Sequence, residues 1–330
     1  MNDNVFFLAW EKHRRSINLA SCLGIRSMFL ENSLHRMFKY PVFVWQTFSL
    51  LLRERPKVLI VQNPSLVLSC FALLMRPLFQ FCLIIDAHNV GVVWYGAGRC
   101  FFQPVLKMLH RYANITIVTN EPLSEIIIEH GGIPFILPDA IPDFGQVNRA
   151  QMFSDDEQFI VTFVNTFSSD EPYQAVFEAS KLLPDKVLFY ATGSVDKVGD
   201  IRQFGCEKNV VFKGYIPDDE YLDLLSRSHC IIDLTTRDNC LVCGAYEALS
   251  LGIPMILSDS VVTRQLFNKG VAYTKADATS IRDAIIDIME NHSQYQKQLL
   301  ILRDEFQVKW DLSRKKLLKM ISDKCIGSIL

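Results

Sequence analysis

The stretch CGAYEALSLGIPMILS, residues 243–258, decides the fold expected for this chain. It opens as a helix around Gly244, the helix stops at Gly252, and an apolar strand over residues 254–257 follows at once. A second apolar strand, residues 230–234, precedes it. A glycine just after the last helical residue is a common C-terminal signal, and a strand–helix–strand unit of this kind predicts two neighbouring parallel strands. We therefore expect a parallel sheet in this half of the chain.

The same alternation of strands and helices extends along the whole sequence. We expect strands at residues 5–10, 27–30, 58–62, 83–86, 115–119, 135–137, 159–164, 187–191, 210–212, 230–234 and 254–257. We expect helices at residues 16–23, 41–53, 104–112, 122–130, 174–183, 219–226, 244–251 and 280–290, with one more after Pro64. The pattern predicts an α/β protein made of two Rossmann-like, doubly wound domains that face each other across a cleft.

Between the two sets of strands, residues 142–158 are polar, lack apolar periodicity and are typical of a linker. We therefore expect a first domain over residues 1–145 and a second over residues 146–310. Residues 311–330 are expected to form a C-terminal helix that packs back towards the first domain. In sheets of this kind, ligands bind at the carboxyl ends of the strands.

Composition narrows the class of protein. The 330 residues are 49% hydrophobic, and 34 basic residues stand against 36 acidic ones, which gives a net charge of −2. Such a chain can bury the cores of about two domains. A protein dedicated to nucleic acid would carry a basic excess, so we expect no nucleic-acid partner.

The nine cysteines are scattered and odd in number, and several lie in apolar runs, where cysteine behaves as a small hydrophobe. We therefore expect no disulfides. The pair Cys240 and Cys243 is interpreted as structural, because no second close pair completes a zinc site. Together with the lack of a signal-peptide pattern, the cysteines favour a reducing, cytoplasmic compartment.

Three apolar segments bear on contact with a membrane. Residues 65–85 are nearly long enough to span one, but Arg76 and Pro77 lie in the middle. We interpret them as a helix, a turn at Arg76-Pro77, and a strand. Residues 34–55 and 94–102 combine apolar and basic side chains, which suits peripheral attachment to the inner face of the cytoplasmic membrane, although such stripes more often pack on their own sheet.

Polar clusters follow the predicted strands of the first domain. His88 lies between Asp86 and Asn89, and it could shuttle a proton or bind a sugar hydroxyl. From spacing alone, simple capping of the next turn is the favoured interpretation. Asn63 follows the neighbouring strand. The cluster His13, Arg14 and Arg15 follows the first strand and suits an acceptor phosphate or a solvated helix start about equally.

In the second domain, the start of the helix at Gly244 offers free N–H groups and a positive dipole to a diphosphate. Glu247 could accept both hydroxyls of a ribose, or it could only compensate the dipole. Arg237 or Lys213 could add a cation. Neither a P-loop nor a G-x-G-x-x-G motif occurs in the sequence, which argues against those two nucleotide-binding classes.

The block Gly244-Ala-Tyr-Glu247-Ala-Leu-Ser-Leu-Gly252-Ile-Pro254 resembles the donor-binding E-A-x-x-x-G-x-P element of family 4 glycosyltransferases with the GT-B fold. The resemblance implies that Glu247 holds the nucleotide ribose. The other acid of that family's E-x7-E pattern falls on Asn239, which can still bind hydroxyls. The Arg and Lys that clamp the diphosphate in the family are replaced by Thr166 and Glu171.

A shorter likeness links VLIVQNP at 58–64, IIDAHN at 84–89, the acidic loop near Glu171 and VKWD at 308–311 to the β-mannosyltransferases that extend lipid-linked chitobiose. In family 4 enzymes the residue matching His88 lies at the donor sugar and reacting centre. Because of this resemblance to family 4 enzymes, a role for His88 at the reacting centre is now preferred over simple capping of the next turn.

The resemblance implies a metal-independent hexosyltransferase that uses a UDP- or GDP-linked sugar and requires no cofactor. The first domain would bind a glycan or polyprenyl-diphosphate-linked acceptor, and the product would be a cell-surface polysaccharide such as lipopolysaccharide or exopolysaccharide. The expected catalytic residues are His88, Asp86 and Asn239. The expected donor-binding residues are Glu247, Arg237, Gly244, Lys213, Gly193 and Thr166, and the expected acceptor-binding residues are His13, Arg14, Arg15 and Asn63.

Two alternatives remain open. Nucleotide-sugar 2-epimerases share the two-domain architecture but need acids at the sugar, which Asn239 does not supply. A non-catalytic GT-B partner subunit is favoured by the loss of the Arg and Lys clamp.

Overall fold

The structure is a computed structural model, and it describes residues 4–32, 36–63, 65–145, 158–205 and 208–326. Most of the expected linker, the start of the apolar segment 34–55, Pro64 and Cys206 lie outside the described residues. The chain divides into two compact units, which are described separately. Unit 1 comprises Met1–Ala140 and Val308–Leu330, and unit 2 comprises Ile141–Gln307.

Unit 1 is built on six parallel strands. They are β1 (Val5–Ala9), β2 (Arg26–Phe29), β3 (Val58–Asn63), β4 (Cys82–Ala87), β5 (Ile115–Val118) and β6 (Pro134–Ile136). Their order across the sheet is β2-β1-β3-β4-β5-β6. Strands β1, β3, β4 and β5 are buried throughout, which explains their continuous apolar sequence.

The helices of unit 1 follow the strands in turn. They are α1 (Arg14–Leu23), α2 (Arg36–Glu54), α3 (Leu66–Phe79), α4 (Asn89–Val92), α5 (Arg99–Tyr112) and α6 (Glu121–Glu129). Trp310, from the last part of the chain, donates a hydrogen bond from Nε1 to the carbonyl of Pro138 at 2.9 Å. Arg314 Nη1 similarly donates to the carbonyl of Cys22, at the end of α1, at 3.2 Å.

Unit 2 repeats the design with a different strand order. Its strands are β7 (Phe159–Phe163), β8 (Val187–Thr192), β9 (Val210–Gly214), β10 (Cys230–Asp233), β11 (Met255–Ser258) and β12 (Val271–Thr274). They are parallel and lie in the order β12-β11-β10-β7-β8-β9. Its helices are α7 (Tyr173–Ser180), α8 (Asp218–Ser226), α9 (Cys243–Leu251), α10 (Val261–Leu266), α11 (Ala278–Glu290) and α12 (His292–Ile321), of which α12 continues into unit 1.

The expected class, two doubly wound parallel sheets with helices, is confirmed. The strand orders locate the edge of each sheet where a ligand is expected. Connections from β1 and β3 lead to opposite sides of the sheet in unit 1, and those from β7 and β10 do so in unit 2, so each of these neighbouring pairs marks a switch point. Crevices form outside the carboxyl ends of the strands at such switch points.

Several local expectations are wrong. Helix α3 does not turn at Arg76-Pro77 but continues to Phe79 and ends at Gln80, which has a φ of 55°. Proline lacks an N–H and removes one bond of the helix, yet here only the last turn follows it, so the loss is small. Strand β12 and helix α10 were not expected, because each is short and lacks a strong periodic signal.

The expectation of no disulfides is also wrong. Cys82, at the start of β4, is bonded to Cys325, which lies 243 residues later in the sequence. The disulfide joins two segments that are far apart in the sequence. The spacing of the cysteines along the chain therefore does not predict this pair. The cysteine argument for a reducing compartment therefore no longer holds. Among the described residues, no helix is long and apolar enough to cross a membrane.

Candidate functional site

In unit 2 the candidate site lies where β7 and β10 end side by side. The loop over residues 164–172 follows β7, the loop over residues 234–242 follows β10, and α9 begins directly after the second loop. This edge carries Thr166, Arg237, Gly244 and Glu247, which were expected to bind the donor, and Asn239, which was expected to be catalytic. The structure therefore brings these five residues to one edge of one sheet.

Asp233, the last residue of β10, is buried against the start of α9. Its Oδ2 accepts a hydrogen bond from the backbone N–H of Gly244 at 2.8 Å. A Cβ at position 244 would lie only 2.6 Å from the same oxygen, so this close approach requires glycine. Because one N–H of the first turn of α9 already has this acceptor, a diphosphate would depend on the other N–H groups of the turn.

The environment of Asp233 favours its neutral form. Burial raises the pKa of this carboxyl well above its usual range, and the hydrogen bond from Gly244 only partly opposes that effect. The charges of Glu171, Glu247 and Asp170 raise the pKa further. Four carboxyl groups therefore share this edge of the sheet, and sequence reasoning singled out only Glu247 as a ligand.

Glu247 lies on the second turn of α9 and is only 4% exposed. Its Oε2 accepts a hydrogen bond from the hydroxyl of Tyr221, on α8, at 2.5 Å. A bond from a buried tyrosine fixes the orientation of the carboxylate, which suits a group that must receive two adjacent hydroxyls in fixed geometry.

The loop after β7 is held by its own acids. Glu171 accepts hydrogen bonds from the N–H of Thr166 at 2.8 Å, from the hydroxyl of Thr166 at 3.1 Å and from the N–H of Ser168 at 2.9 Å. Lys197 Nζ donates to the carbonyl of Thr166 at 2.6 Å. Thr166 is thus positioned by Glu171 and Lys197.

Arg237 is paired within the same region. Its Nη2 lies 2.8 Å from Oδ1 of Asp170, and the hydroxyl of Thr235 donates to the other oxygen of that carboxylate at 2.9 Å. The guanidinium is about one-third exposed. A diphosphate reaching Arg237 would therefore meet a cation whose charge Asp170 already balances.

Gly193 and Asn165 meet behind this loop. Gly193, which follows β8, has a φ of 89°, and a Cβ there would lie 2.5 Å from the carbonyl oxygen of Asn165, so only glycine fits. Asn165 is buried, its Oδ1 accepts from the N–H of Phe167, and its Nδ2 has no hydrogen-bond partner among the described residues. Sequence reasoning missed Asn165, although its position directly after β7 was a usable signal.

One expected donor residue, Lys213, lies away from this edge. Lys213 lies on the edge strand β9, with its Nζ 5.0 Å from the centroid of the Tyr190 ring. Strands β7 and β8 separate it from β10, and with strands about 4.8 Å apart a lysine on β9 is far from the start of α9. Asn239 lies in the loop before α9 with a left-handed φ of 56°.

In unit 1 the candidate site is centred on a buried ion pair at the ends of β4 and β1. Arg15, on α1, donates from Nη2 and Nε to Oδ1 of Asp86 at 2.7 and 3.2 Å, and from Nη1 to Asp139. Burial disfavours the charge on Arg15, but Asp139 and Asp86 outweigh it and raise the pKa of the guanidinium. An acceptor phosphate would have to compete with both carboxylates for Arg15, whereas Arg14 is exposed.

Asp86 remains charged in this setting. Its side chain is fully buried, which alone would raise its pKa, but the charge of Arg15 and the neighbouring His88 lower it below its usual range. His88 Nε2 lies 3.8 Å from Oδ2 of Asp86, a distance too long for a hydrogen bond. A ligand hydroxyl between these two atoms would bridge them.

His13 and His88 stack edge to face, with ring centroids 4.8 Å apart. Burial, together with the charges of His88 and Arg15, lowers the pKa of His13 to about 4, although the charges of Asp139 and Asp86 act in the opposite direction. His13 is therefore neutral at physiological pH. Nearby, Asn63 Nδ2 donates to the carbonyl of Gly91 at 3.1 Å.

Five buried polar atoms of unit 1 at this edge have no hydrogen-bond partner among the described residues. They are His13 Nδ1, Gln62 Oε1, Asn63 Oδ1, Asp86 Oδ2 and His88 Nε2. Buried polar groups are normally satisfied, so a cluster of unsatisfied ones indicates a place for water or a ligand with hydroxyl groups. Four of these five residues were expected from the sequence. Gln62 and Asp139 were not, because nothing local to either residue shows what it faces.

Comparisons with known proteins bear on the family and on the fold. Residues 146–300, just under half of the chain, match the sequence profile of the family described as Glycosyl transferases group 1. A search of curated proteins found no relative of the sequence.

Solved structures show the same fold over nearly the whole chain. Sucrose-phosphate synthase from Thermosynechococcus elongatus has a TM-score of 0.75 at 16% identity, covering 97% of this chain and 98% of its own. Anabaena Alr3699/HepE, solved with UDP, has a TM-score of 0.69 at 12% identity, covering 97% and 100%. The lipopolysaccharide outer core galactosyltransferase WaaB, in its apo form, has a TM-score of 0.61 at 13% identity, covering 97% and 99%.

At these identities the solved structures establish the fold alone, and the sequence profile matches the region that carries Glu247. The expected resemblance to GT-B glycosyltransferases is confirmed, and the shorter likeness to chitobiose mannosyltransferases stays a prediction. The chain has the GT-B fold, and its residues 146–300 match the family model described as Glycosyl transferases group 1.

Proposed function

We propose that this protein is a glycosyltransferase that moves a hexose from a UDP- or GDP-linked donor to a glycan acceptor, without a metal ion. The observation that carries the proposal is the buried carboxylate of Glu247, oriented by Tyr221 at the switch point of unit 2. The family match of residues 146–300 supports glycosyl transfer as the class of activity. Anabaena HepE, which shares the fold, was solved with UDP and with UDP-glucose.

In the proposed reaction, Glu247 accepts the two hydroxyls of the ribose. The sugar–phosphate bond breaks, and negative charge grows on the leaving diphosphate. N–H groups of the first turn of α9 and the side chain of Arg237 stabilise that charge, since preorganised donors at developing charge lower the barrier. Asp170 keeps Arg237 in place, and Glu171 and Lys197 hold the loop that carries Thr166.

In unit 1, His88 is proposed to take the proton of the acceptor hydroxyl, whose oxygen bonds to the sugar carbon that the diphosphate leaves, and Asp86 is proposed to support His88. A histidine beside a buried carboxylate can accept a proton, and the charged Asp86 would stabilise the imidazolium that forms. His13 and Asn63 would then bind further hydroxyls of the acceptor glycan, using the atoms that lack protein partners.

The acceptor is proposed to be linked to a lipid, such as a polyprenyl diphosphate, with the protein attached peripherally to the inner face of the cytoplasmic membrane. The product would be a cell-surface polysaccharide. The fold likeness to WaaB, a lipopolysaccharide galactosyltransferase, is in keeping with this role but concerns the fold alone.

Calorimetric titration with UDP and GDP tests the donor site. Replacing Glu247 by Ala is expected to weaken the binding of the preferred nucleotide by about 1–3 kcal/mol, because the ribose hydroxyls lose their acceptor. The matched control is Glu178→Ala, an exposed glutamate on α7 that should leave affinity unchanged. Tyr221→Phe keeps the carboxylate but removes its donor and should weaken binding less.

Equal nucleotide affinity in Glu247→Ala and the parent protein, with both folded by circular dichroism, would refute the ribose assignment. A panel of sugar donors assayed for hydrolysis then identifies the sugar. His88→Ala should lose turnover while keeping nucleotide affinity.

The second candidate function, a non-catalytic GT-B partner subunit, is favoured by the Asp170–Arg237 pair, which leaves the diphosphate position with a balanced cation. In that case neither UDP nor GDP would bind in the calorimeter. A nucleotide-sugar 2-epimerase, the remaining alternative, would bind nucleotide and convert its sugar without any acceptor.

A further inference from the structure

One layer of helices in unit 1 carries an apolar face towards solvent. The connections from β2 to β3, from β3 to β4 and from β4 to β5 all run in the same direction across the sheet. Because such crossovers are right-handed, α2, α3 and α5 lie on the same side. Helix α3 packs against both α2 and α5, so the three form a continuous outer surface, here called the outer layer.

Each helix of the outer layer presents an exposed apolar stripe at helical spacing. The stripes consist of Phe38, Trp45 and Leu52 on α2, Val67, Leu74 and Leu78 on α3, and Phe101, Met108 and Tyr112 on α5. Trp45, Leu74 and Leu78 are each more than 65% exposed. Apolar side chains at spacings of four and seven residues normally face the core, and here they form a second set facing outwards. Large contiguous patches of this kind mark sites of interaction.

The charge of the outer layer is strongly biased. The three helices contain seven lysine and arginine residues and one acid, whereas the whole chain has slightly more acids than bases. The one acid, Glu54, is paired with Arg26 and Arg53. The basic bias is confined to these three helices, because α6, which lies beside α5 on the same side of the sheet, carries the exposed acids Glu121, Glu125 and Glu129. The outer layer is therefore apolar and basic together.

A cavity of about 600 Å³ opens beside the ends of α3 and α5, at the start of β4. Leu73, Met108 and Tyr112 contribute apolar walls, and Arg76 and Lys324 contribute cations. Arg76 Nη1 donates to the carbonyl of Tyr112 at 2.7 Å, which fixes the guanidinium. Met108 and Tyr112 belong to the α5 stripe as well, so the cavity adjoins the outer layer.

We propose that the outer layer docks on an anionic lipid bilayer and that the cavity receives the phosphate headgroup of one lipid. The apolar stripes would enter the boundary between headgroups and acyl chains, and the basic residues would bind the anionic headgroups. Arg76 and Lys324 would contact the phosphate of the lipid in the cavity. A second copy of the chain is a poorer occupant, because two such faces would bring like charges together.

This inference deepens, and rests on, the peripheral location in the proposed function, and it names the surface and the lipid class. It makes no use of the donor site in unit 2. The two proposals can therefore fail separately.

Co-sedimentation with lipid vesicles tests the docking surface. The full chain is expected to bind vesicles containing about one-third phosphatidylglycerol at least about tenfold more strongly than pure phosphatidylcholine vesicles, and to be released by high salt. The double substitution Leu74→Glu with Leu78→Glu should abolish binding by placing two charges on the α3 stripe. Arg76→Gln should weaken binding by about fivefold, the effect of one basic residue near an anionic surface.

The matched control is Val308→Glu with Leu312→Glu on α12. These residues have the same spacing and are 62% and 53% exposed, on the part of the chain that contacts α1 rather than the outer layer. The control should bind vesicles like the parent protein. UDP titration of all variants should give equal affinities.

The proposal is overturned if the parent protein ignores both kinds of vesicle, if the α3 variant still binds, or if the α12 control loses binding equally. It is also overturned if the α3 substitutions convert a dimer to a monomer while vesicles are not bound. Loss of vesicle binding with UDP affinity intact leaves the donor site standing, and the absence of nucleotide binding in the parent protein refutes only the donor site.

Discussion

The carboxyl ends of the two sheets differ in how their polar groups are satisfied. In unit 1, five buried polar atoms have no partner among the described residues. In unit 2, Asp170, Glu171, Asp233 and Glu247 each accept hydrogen bonds from neighbouring groups of the protein. The first edge has several buried polar atoms that water or a ligand with hydroxyl groups could satisfy, whereas the carboxyl groups of the second edge already have protein donors, although Asn165 Nδ2 beside them has no partner among the described residues.

The two edges also respond to pH with opposite signs. His13 has a lowered pKa and Asp86 a lowered pKa, so unit 1 loses stability as pH falls, first through His13 and later through Asp86. Asp233 has a raised pKa, so unit 2 loses stability as pH rises above the ordinary range of an aspartate. This contrast gives three predictions, ordered by the size of the expected effect.

The largest effect should come from the buried pair of unit 1. Replacing Asp86 by Ala leaves Arg15 buried with one carboxylate fewer, and we expect the free energy of unfolding to fall by about 3–5 kcal/mol. Chemical denaturation measures the change. The control is Asp185→Ala, which removes an exposed pair with Lys208 in unit 2 and should cost less than about 1 kcal/mol. Similar losses in both variants would show that the pair at Asp86 has no special role.

An intermediate effect should come from His13. Its unfolded pKa is near 6.5 and its folded pKa is about 4, so the parent protein should lose about 2–3 kcal/mol of stability between those two pH values. His13→Asn removes the titrating group and keeps a residue that suits the start of α1. Thermal melts from pH 7 to pH 4 should therefore show a flatter decline for this variant. Parallel curves for the two proteins would contradict the assignment.

The smallest effect should come from Asp233. Asp233→Asn keeps an acceptor for the N–H of Gly244 and removes the charge, so its stability relative to the parent protein should improve as pH rises above about 4. Asp233→Ala removes the acceptor and should be about 1 kcal/mol less stable than the Asn variant. If the stability of the parent protein instead rose relative to the Asn variant with increasing pH, the pKa of Asp233 would be lowered and not raised.

The sequence alone predicted those helices and strands that have a clear apolar pattern and clear start or stop residues. The run from Cys243 to Ser258 predicted α9 and the parallel strand after it, and most other strands and helices were placed to within a few residues. The largest difference is α12, which begins at His292, whereas the last helix was expected only over residues 311–330. Strand β12 and helix α10 were not predicted, because elements this short have too few residues to show a helical or strand period of apolar side chains. The domain limits at residues 145 and 310 and the linker over residues 142–158 stay predictions.

For the candidate sites, the sequence could identify polar residues after strands but not their partners. His88 and Asp86 were chosen because they follow a buried strand. Their neighbours Arg15 and Asp139 lie 124 residues apart from each other in the sequence, and Asp170 faces Arg237 across two loops. Pairings at such separations depend on tertiary packing, and spacing within one sequence does not contain them.

The bond between Cys82 and Cys325 closes most of the polypeptide, including all of unit 2, into one covalent ring. A protease that cuts anywhere within that ring, for example between residues 146 and 157, would leave the two pieces attached. They would separate on a denaturing gel only after a reducing agent is added. A cleaved chain would therefore migrate as one species on a non-reducing gel, and the cleavage would become visible only after the disulfide is reduced.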